Sequence, residues 1–548
     1  MASISYALRN IRPTLVQVAT LLLCFLTGLA LDHFERLGPT IVVLTVVMGM
    51  NLGRTQRYGA LGHRLVSLAA LPFVSVGCVE VGRLFVQHPN VADALFTGAL
   101  GLSIYLRRLG PWGTRLGTLV ALPFIALLVT PVPVVSGPLP PAARSMLWCA
   151  LAAVFAYCWV WIVREAAQRL GLVEPLPRHP VRRPPAPTVG RPKTGLARIP
   201  ASTRMAVQMT LALALAFVVG RTVFAPHWAW IVLTAFIVNS GNRGRGDVVH
   251  KSLLRVLGAG AGTIVATLVS GLLPPRDNVA IVIILIVLAI GTWLRTVSYV
   301  YWAGCVTSVL SLVQGYFGEG HAGLIGERLL QIVLGGALAV LVAWFVLPVR
   351  SEGVVRRRVA DCLAPLTDLL IAARRGPGAA ADRLTEFAAN LELLEQVAPS
   401  TTAHRRLHRL RGAAGGHPAD AIEALCSCAS AAEVLAQAAS QSPQTLREPG
   451  IPGLLKVIAG NVVAARKAIG RQPDASRREL PAAVPEGPLA EALLRLDAAA
   501  RVVFEVYFAA PAAPDAPAMP DAPAAPGIPG TPATPVEVAN PPARPLNA

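Results

Sequence analysis

The chain has 548 residues, of which 54% are hydrophobic and 14% charged. Soluble globular domains carry about 25% charged residues, so the balance excludes an ordinary water-soluble enzyme of this length and points to membrane spans. A net charge of +19 would suit a nucleic-acid binder, but the arginines sit at the ends of apolar runs, with no basic face interleaved with aromatics, and no nucleic-acid role is expected.

Arg9 and Arg12 precede the first apolar segment. No small-residue cleavage site follows, so this segment reads as a retained span and not a signal peptide. About twelve apolar segments succeed one another. In the first half they lie near Thr14 to Leu31, Thr40 to Asn51, Leu65 to Phe85, Val91 to Leu106, Leu116 to Val129 and Ser145 to Val163. In the second they lie near Met205 to Phe224, Trp228 to Ser240, Leu253 to Leu273, Val279 to Leu294, Val297 to Phe317 and Leu324 to Leu347. Several are short or broken by Gly and Pro.

The gaps alternate in charge. Arg9 and Arg12, then Arg54, Arg57 and Arg64, then Arg107, Arg108 and Arg115 occupy every second gap, and Arg243, Arg245, Lys251 and Arg255, then Arg295, then Arg350 and Arg356 to Arg358 continue the rule. The intervening gaps are nearly free of positive charge, so both termini are expected in the cytoplasm. Between the halves, Arg164 to Arg204 is rich in Pro and Arg and reads as a cytoplasmic linker. The expected divisions are a first six-span unit over 1–163, the linker over 164–204, and a second six-span unit over 205–348. A helical cytoplasmic domain over 349–508 and a disordered tail over 509–548 complete the chain.

A weak internal repeat relates the two units. Val43, Leu44 and Thr45 recur as Val232, Leu233 and Thr234, each opening a short second span followed by Asn, Gly and Arg. Two parallel six-helix repeats in an all-α membrane protein form a transporter architecture whose sites lie between the repeats. After Leu347 the chain becomes alanine-rich and amphipathic, with Leu384, Phe387, Leu391 and Leu394 at helical spacing. Helix breaks are expected near Gly412 to Pro418, Ser442 to Pro452 and Pro481 to Pro488. From Ala509 the Ala/Pro-rich stretch cannot build a packed core.

Of the eight cysteines, five fall in apolar runs, and Cys426 and Cys428 lack a second pair at zinc-ligand spacing. Neither a disulfide framework nor a metal site is expected. No phosphate-binding loop, His-Glu-x-x-His or Gly-x-Ser-x-Gly is present, so no ATP-driven pump, hydrolase or cofactor is expected.

Charged residues at membrane depth mark ion or proton paths. Glu80, with Arg83 three residues on and on the same helical face, is the candidate for proton coupling; its bland reading is a local ion pair near the outer surface. Pro226, His227, Trp228 and Trp230 open the eighth span, and Asn239, Asn242, Arg243 and Arg245 close it. Arg255 then opens the ninth, followed by Gly258, Gly260 and Gly262, which permit close helix contact. A guanidinium held where packed helices leave the cytoplasm suits an organic carboxylate. The competing readings are anchors for the arginines, an interfacial belt for Trp228 and Trp230, and a merely solvated His227. Arg64 and Gln208 join Arg255, Trp228, His227, Asn239, Asn242 and Arg243 as candidate pathway residues, although interhelical hydrogen bonding alone would account for Gln208, Gln314, Gln331, Thr45 and Thr234. Glu327 and Arg328 read as an interfacial ion pair.

The stretch from Arg204 through Pro226-His227-Trp228, the glycine-bearing Asn239 to Gly246, Arg255 with Gly258 and Gly262, and Glu327-Arg328 followed by Gly335 resembles the fusaric acid resistance (FUSC) membrane domain. That family is grouped with aromatic acid exporters. The sequence departs from its pattern at Ala259, where a Thr would fall, and at Asn239-Ser240-Gly241, which replace a Gln-Pro-like turn. The resemblance implies proton-coupled efflux of aromatic or other organic carboxylates between two six-helix units. Expected partners are a small organic anion and membrane lipids, with a second copy or a periplasmic efflux component as further candidates. A passive organic-anion channel and a non-transport envelope scaffold or regulator are the alternative classes.

Overall fold

In the computed structural model the described residues are 11–35, 39–55, 61–129, 142–173, 199–271, 274, 277–295, 297–316, 324–373, 377–412 and 415–508. All regular structure among them is helical. Twelve helices coincide with the twelve apolar segments: α1 (Ile11–Glu35), α2 (Pro39–Thr55), α3 (Leu61–Gln87), α4 (Pro89–Tyr105), α5 (Gly110–Val129), α6 (Ala142–Arg169), α7 (Ala201–Val223), α8 (Ala229–Asn239), α9 (Arg245–Ser270), α10 (Asn278–Leu294), α11 (Tyr299–Tyr316) and α12 (Leu324–Phe345). Six of these, α1, α3, α6, α7, α9 and α12, are long and apolar enough to cross a membrane. α2, α8, α10 and α11 contain shorter apolar helices. At 1.5 Å per residue, the 11 residues of α8 rise only about half of a bilayer core.

The helices of the two sets pack in matching pairs. α2 lies against α1 and α6, α3 against α5 and α6, and α4 against α5. Correspondingly α8 lies against α7 and α12, α9 against α11 and α12, and α10 against α11. The sets join chiefly where α4 meets α7. Gly101 permits that approach, because a Cβ there would stand 2.1 Å from Thr210 Oγ1. Phe85, Phe96, Phe124, Phe217 and Trp228 fill the junction, with ring centres 5.0 to 6.0 Å apart. Aromatic pairs at such spacing add to the apolar area they bury.

α6 runs on to Arg169 and α7 starts at Ala201, so residues 164–169 and 201–204, read from the sequence as linker, are helical. Residues 174–198 lie outside the described residues, as do 1–10 and the tail 509–548.

Seven helices follow: α13 (Ser351–Ala372), α14 (Pro377–Glu395), α15 (Ala398–Leu410), α16 (Pro418–Ser427), α17 (Ala429–Gln441), α18 (Ile451–Ile469) and α19 (Pro488–Phe508). Their ends fall where Gly, Ser and Pro accumulate: α15 stops before Gly412, α17 before Ser442, and α19 starts on Pro488. The inward faces of all but α15 share one apolar core, from Val355 through Phe387, Leu394, Leu425, Leu435, Ile458 and Leu496 to Tyr507. Buried Asp497 accepts from Asn461 Nδ2 and Arg477 Nη2, each at 2.7 Å, which ties the segment between α18 and α19 to the core.

Candidate functional site

Arg255 projects from the fourth turn of α9 and is 1% exposed, the largest fully buried side chain among the described residues. Its Nε and Nη2 are buried without a hydrogen-bond partner. The helix places it beside α11 because the next turns have no side chains to hold α11 away. A Cβ at Gly258 would stand 2.5 Å from the Val300 carbonyl oxygen, and one at Gly262 would stand 2.2 Å from that of Gly304. Ser308 Oγ donates to the Gly262 carbonyl at 2.8 Å, which fixes the crossing.

A guanidinium taken out of water is costly unless it is paired. Further polar atoms in the same set of helices are also buried without a hydrogen bond: Thr234 Oγ1 and Asn239 Oδ1 on α8, Thr263 Oγ1 on α9 and Gln331 Oε1 on α12. In hydrocarbon such atoms require water, an ion or a guest. Thr234 and Gln331 therefore do not make the interhelical bonds expected of them; the Gln331 amide instead donates to Glu327 on its own helix at 3.0 Å.

The remaining predicted residues divide into separate groups. Arg243 donates from Nη1 to the Gln396 carbonyl at 3.0 Å and from Nη2 to Gln396 Oε1 at 2.6 Å, which binds the start of α9 to the helical bundle. Gln208 donates to the carbonyl oxygens of Val346 and Leu347 at 2.8 and 3.3 Å, capping the end of α12. Arg64 lies 3.7 Å from Glu165 and over the Trp161 ring at 5.3 Å. Asn239 donates to Ala235 of its own helix, and Asn242 is buried in the following turn. Trp228 belongs to the aromatic junction between the two sets. In α3, Glu80 Oε1 is buried without a hydrogen bond, while Arg83 is half-buried one turn on.

At the opposite end of α8 from Asn239, His227 Nδ1 stands 3.3 Å from Glu327 Oε1, at an angle that makes no hydrogen bond. Arg328 lies with its guanidinium 4.5 Å from the centre of the Trp230 ring and bonds Ser311. Glu327 and Arg328 thus face different neighbours. Arg221 and Asp93, which the sequence reading passed over, form a bidentate pair across the junction at 2.8 and 3.2 Å. Arg221 is about three and a half turns beyond Gln208 on α7, and Asp93 lies in the first turn and a half of α4; only the fold brings them together.

Comparison with known proteins matches residues 211–342 to the family described as fusaric acid resistance protein-like. The matched stretch runs from α7 to α12 and contains Arg255, Gly258, Gly262, His227 and Glu327. It falls inside the stretch whose residues resemble that family. No curated protein and no solved structure matches the chain.

Proposed function

We propose, from the fusaric acid resistance protein-like stretch over residues 211–342, that this multi-pass membrane protein exports organic carboxylates, aromatic acids among them, and that Arg255 is the group that receives the carboxylate. The observation that carries the reading is the buried guanidinium of Arg255, whose Nε and Nη2 have no hydrogen-bond partner among the described residues. An isolated cation in a low-dielectric interior is unfavourable, and a carboxylate arriving in its plane would offset that cost through two charge-assisted hydrogen bonds. Complete burial fits an occluded state that opens when helices on one side of the site separate.

In this reading the matching helix pairs are two parallel six-span units in a bacterial inner membrane, with both termini in the cytoplasm. The match over residues 211–342 and the burial of Arg255 support a binding step within the second unit. Proton coupling falls to carboxyl and imidazole groups among the helices, for which the half-buried Glu80 and the partly exposed His227–Glu327 pair are the candidates.

The test is efflux of radiolabelled benzoate from proteoliposomes under an imposed pH gradient. Arg255→Ala is expected to lower the rate at least about tenfold, and Arg255→Lys to recover part of it, since an ammonium restores charge without the planar fork. Wild-type rates in Arg255→Ala would remove Arg255 from the route. Unitary currents insensitive to the pH gradient would turn the assignment to a channel.

A further inference from the structure

The helix α15 has one side committed to protein and one side that no described residue covers. On the committed side, Arg405 donates to Asp420 at 2.6 Å and to Glu423 at 2.6 and 3.1 Å, both on α16. His404 and His417 stand nitrogen to nitrogen at 2.9 Å on the same side of the turn. On the other side, Leu407 is 48% exposed and Leu410 is 84% exposed, the highest value among the exposed large apolar side chains. With about 3.6 residues per turn, Ala403, Leu407 and Leu410 share one stripe, and Arg406 borders it. Arg406 and Arg411 are exposed on the two flanks of that stripe, whereas Arg409 turns to the committed side, 3.6 Å from Asp420.

The position of α15 indicates what it faces. It packs against α9, one of the six helices able to cross a membrane, and Gln396, two residues before α15, receives both hydrogen bonds from Arg243 just ahead of α9. The helix therefore lies at the level where a span leaves the bilayer. Leucines set between arginines at that level form the pattern of a helix lying in a membrane interface. Phosphate-bearing anionic lipids attract each such arginine by about as much as one thermal tenfold step requires or slightly less. A second copy of the same face is disfavoured, because it would bring like charges together on a chain whose net charge is already +19.

We propose that α15 rests on an anionic bilayer surface, with Leu407 and Leu410 in the head-group layer and Arg406 and Arg411 against lipid phosphates. The proposal requires α9 to be a span and does not depend on what the protein transports.

Amide hydrogen exchange of the full chain, reconstituted in nanodiscs, tests it. Peptides covering 398–411 are expected to exchange roughly tenfold more slowly in phosphatidylcholine mixed with phosphatidylglycerol than in phosphatidylcholine alone. The double change Arg406→Glu with Arg411→Glu should abolish the difference, while peptides of α16 to α19 keep wild-type exchange and so certify the fold. Leu410→Ser, at an exposed position, should weaken the protection without any effect on the bundle. Equal exchange of α15 in the two bilayers overturns the proposal. Protection produced in pure phosphatidylcholine by a second copy per disc, or by inorganic phosphate alone, overturns it as well.

Discussion

Arg221 holds both carboxylate oxygens of Asp93, at 2.8 and 3.2 Å, while its guanidinium lies 4.2 Å from the centre of the Trp228 ring. One arginine thereby joins α4 of the first set to α7 and the start of α8 in the second. Asp93→Asn should leave the guanidinium stacked but uncompensated and lower stability by about 2 kcal/mol. Thermal unfolding of Asp93→Asn, Arg221→Met and the double variant in detergent checks this. The double variant should lose less than the sum of the two single losses.

Arg255→Met carries an opposite expectation for stability. Replacing a buried, unpaired cation by an apolar side chain of similar length removes a desolvation cost, so the unfolding temperature should rise, by the equivalent of about 1 to 4 kcal/mol. Transport should fall in the same variant. A protein both less stable and inactive would indicate that Arg255 has a partner holding the fold.

Gly262→Ala should be among the most damaging single substitutions in the second set. The added methyl would meet the Gly304 backbone, which cannot rotate away as a side chain can. A loss of roughly 2 to 3 kcal/mol is expected, read as reduced yield of folded protein and a lower unfolding temperature. Gly260→Ala, where a Cβ meets nothing within 4 Å, is the matched control and should be neutral.

The helical bundle has a pH dependence that His417 makes predictable. Burial, and then the neighbouring His404, push its imidazole down to about 4 from 6.5. The neutral ring accepts a hydrogen bond from the Ala419 amide at 3.1 Å, a bond that protonation of that nitrogen removes. The unfolded chain therefore binds the extra proton first. Stability contributed by neutral His417 is complete above pH 6.5 and is lost as the pH falls towards 4, by about 3 kcal/mol. Unfolding temperatures measured across that range should show this slope, and His417→Asn, which can still cap α16, should flatten it.

How much of this was legible in the sequence depends on distance along the chain. Phe387, Leu391 and Leu394 repeat at helical spacing, and all three are buried in the bundle core. Glycine, serine and proline clusters marked the breaks before α16, α18 and α19, because these residues punctuate backbone structure locally. Arg255 stood out as a cation opening a glycine-bearing apolar helix. What it meets did not, since burial is a property of packing. Arg243 read as a lipid anchor or a pathway residue, but its hydrogen-bond partner Gln396 lies 153 residues away. Asp93 and Arg221, 128 residues apart, carry no local mark at all. The limited length of α8 shows the same point, for an apolar run announces burial but not whether it spans.

The tie between Arg243 and Gln396 has a mechanical consequence. Near it, the Arg245 amide donates to the Val349 carbonyl at 3.0 Å and the Gly246 amide donates to Ser351 Oγ at 2.9 Å. The beginning of α9 is thus stapled to the peptide that leaves α12 and enters the bundle. Two rods pinned at one end can part only like scissor blades, with least travel at the pin and most at the tips. Gripping the bundle moves the pin, so a load applied outside the greasy helices would turn the blade that carries Arg255.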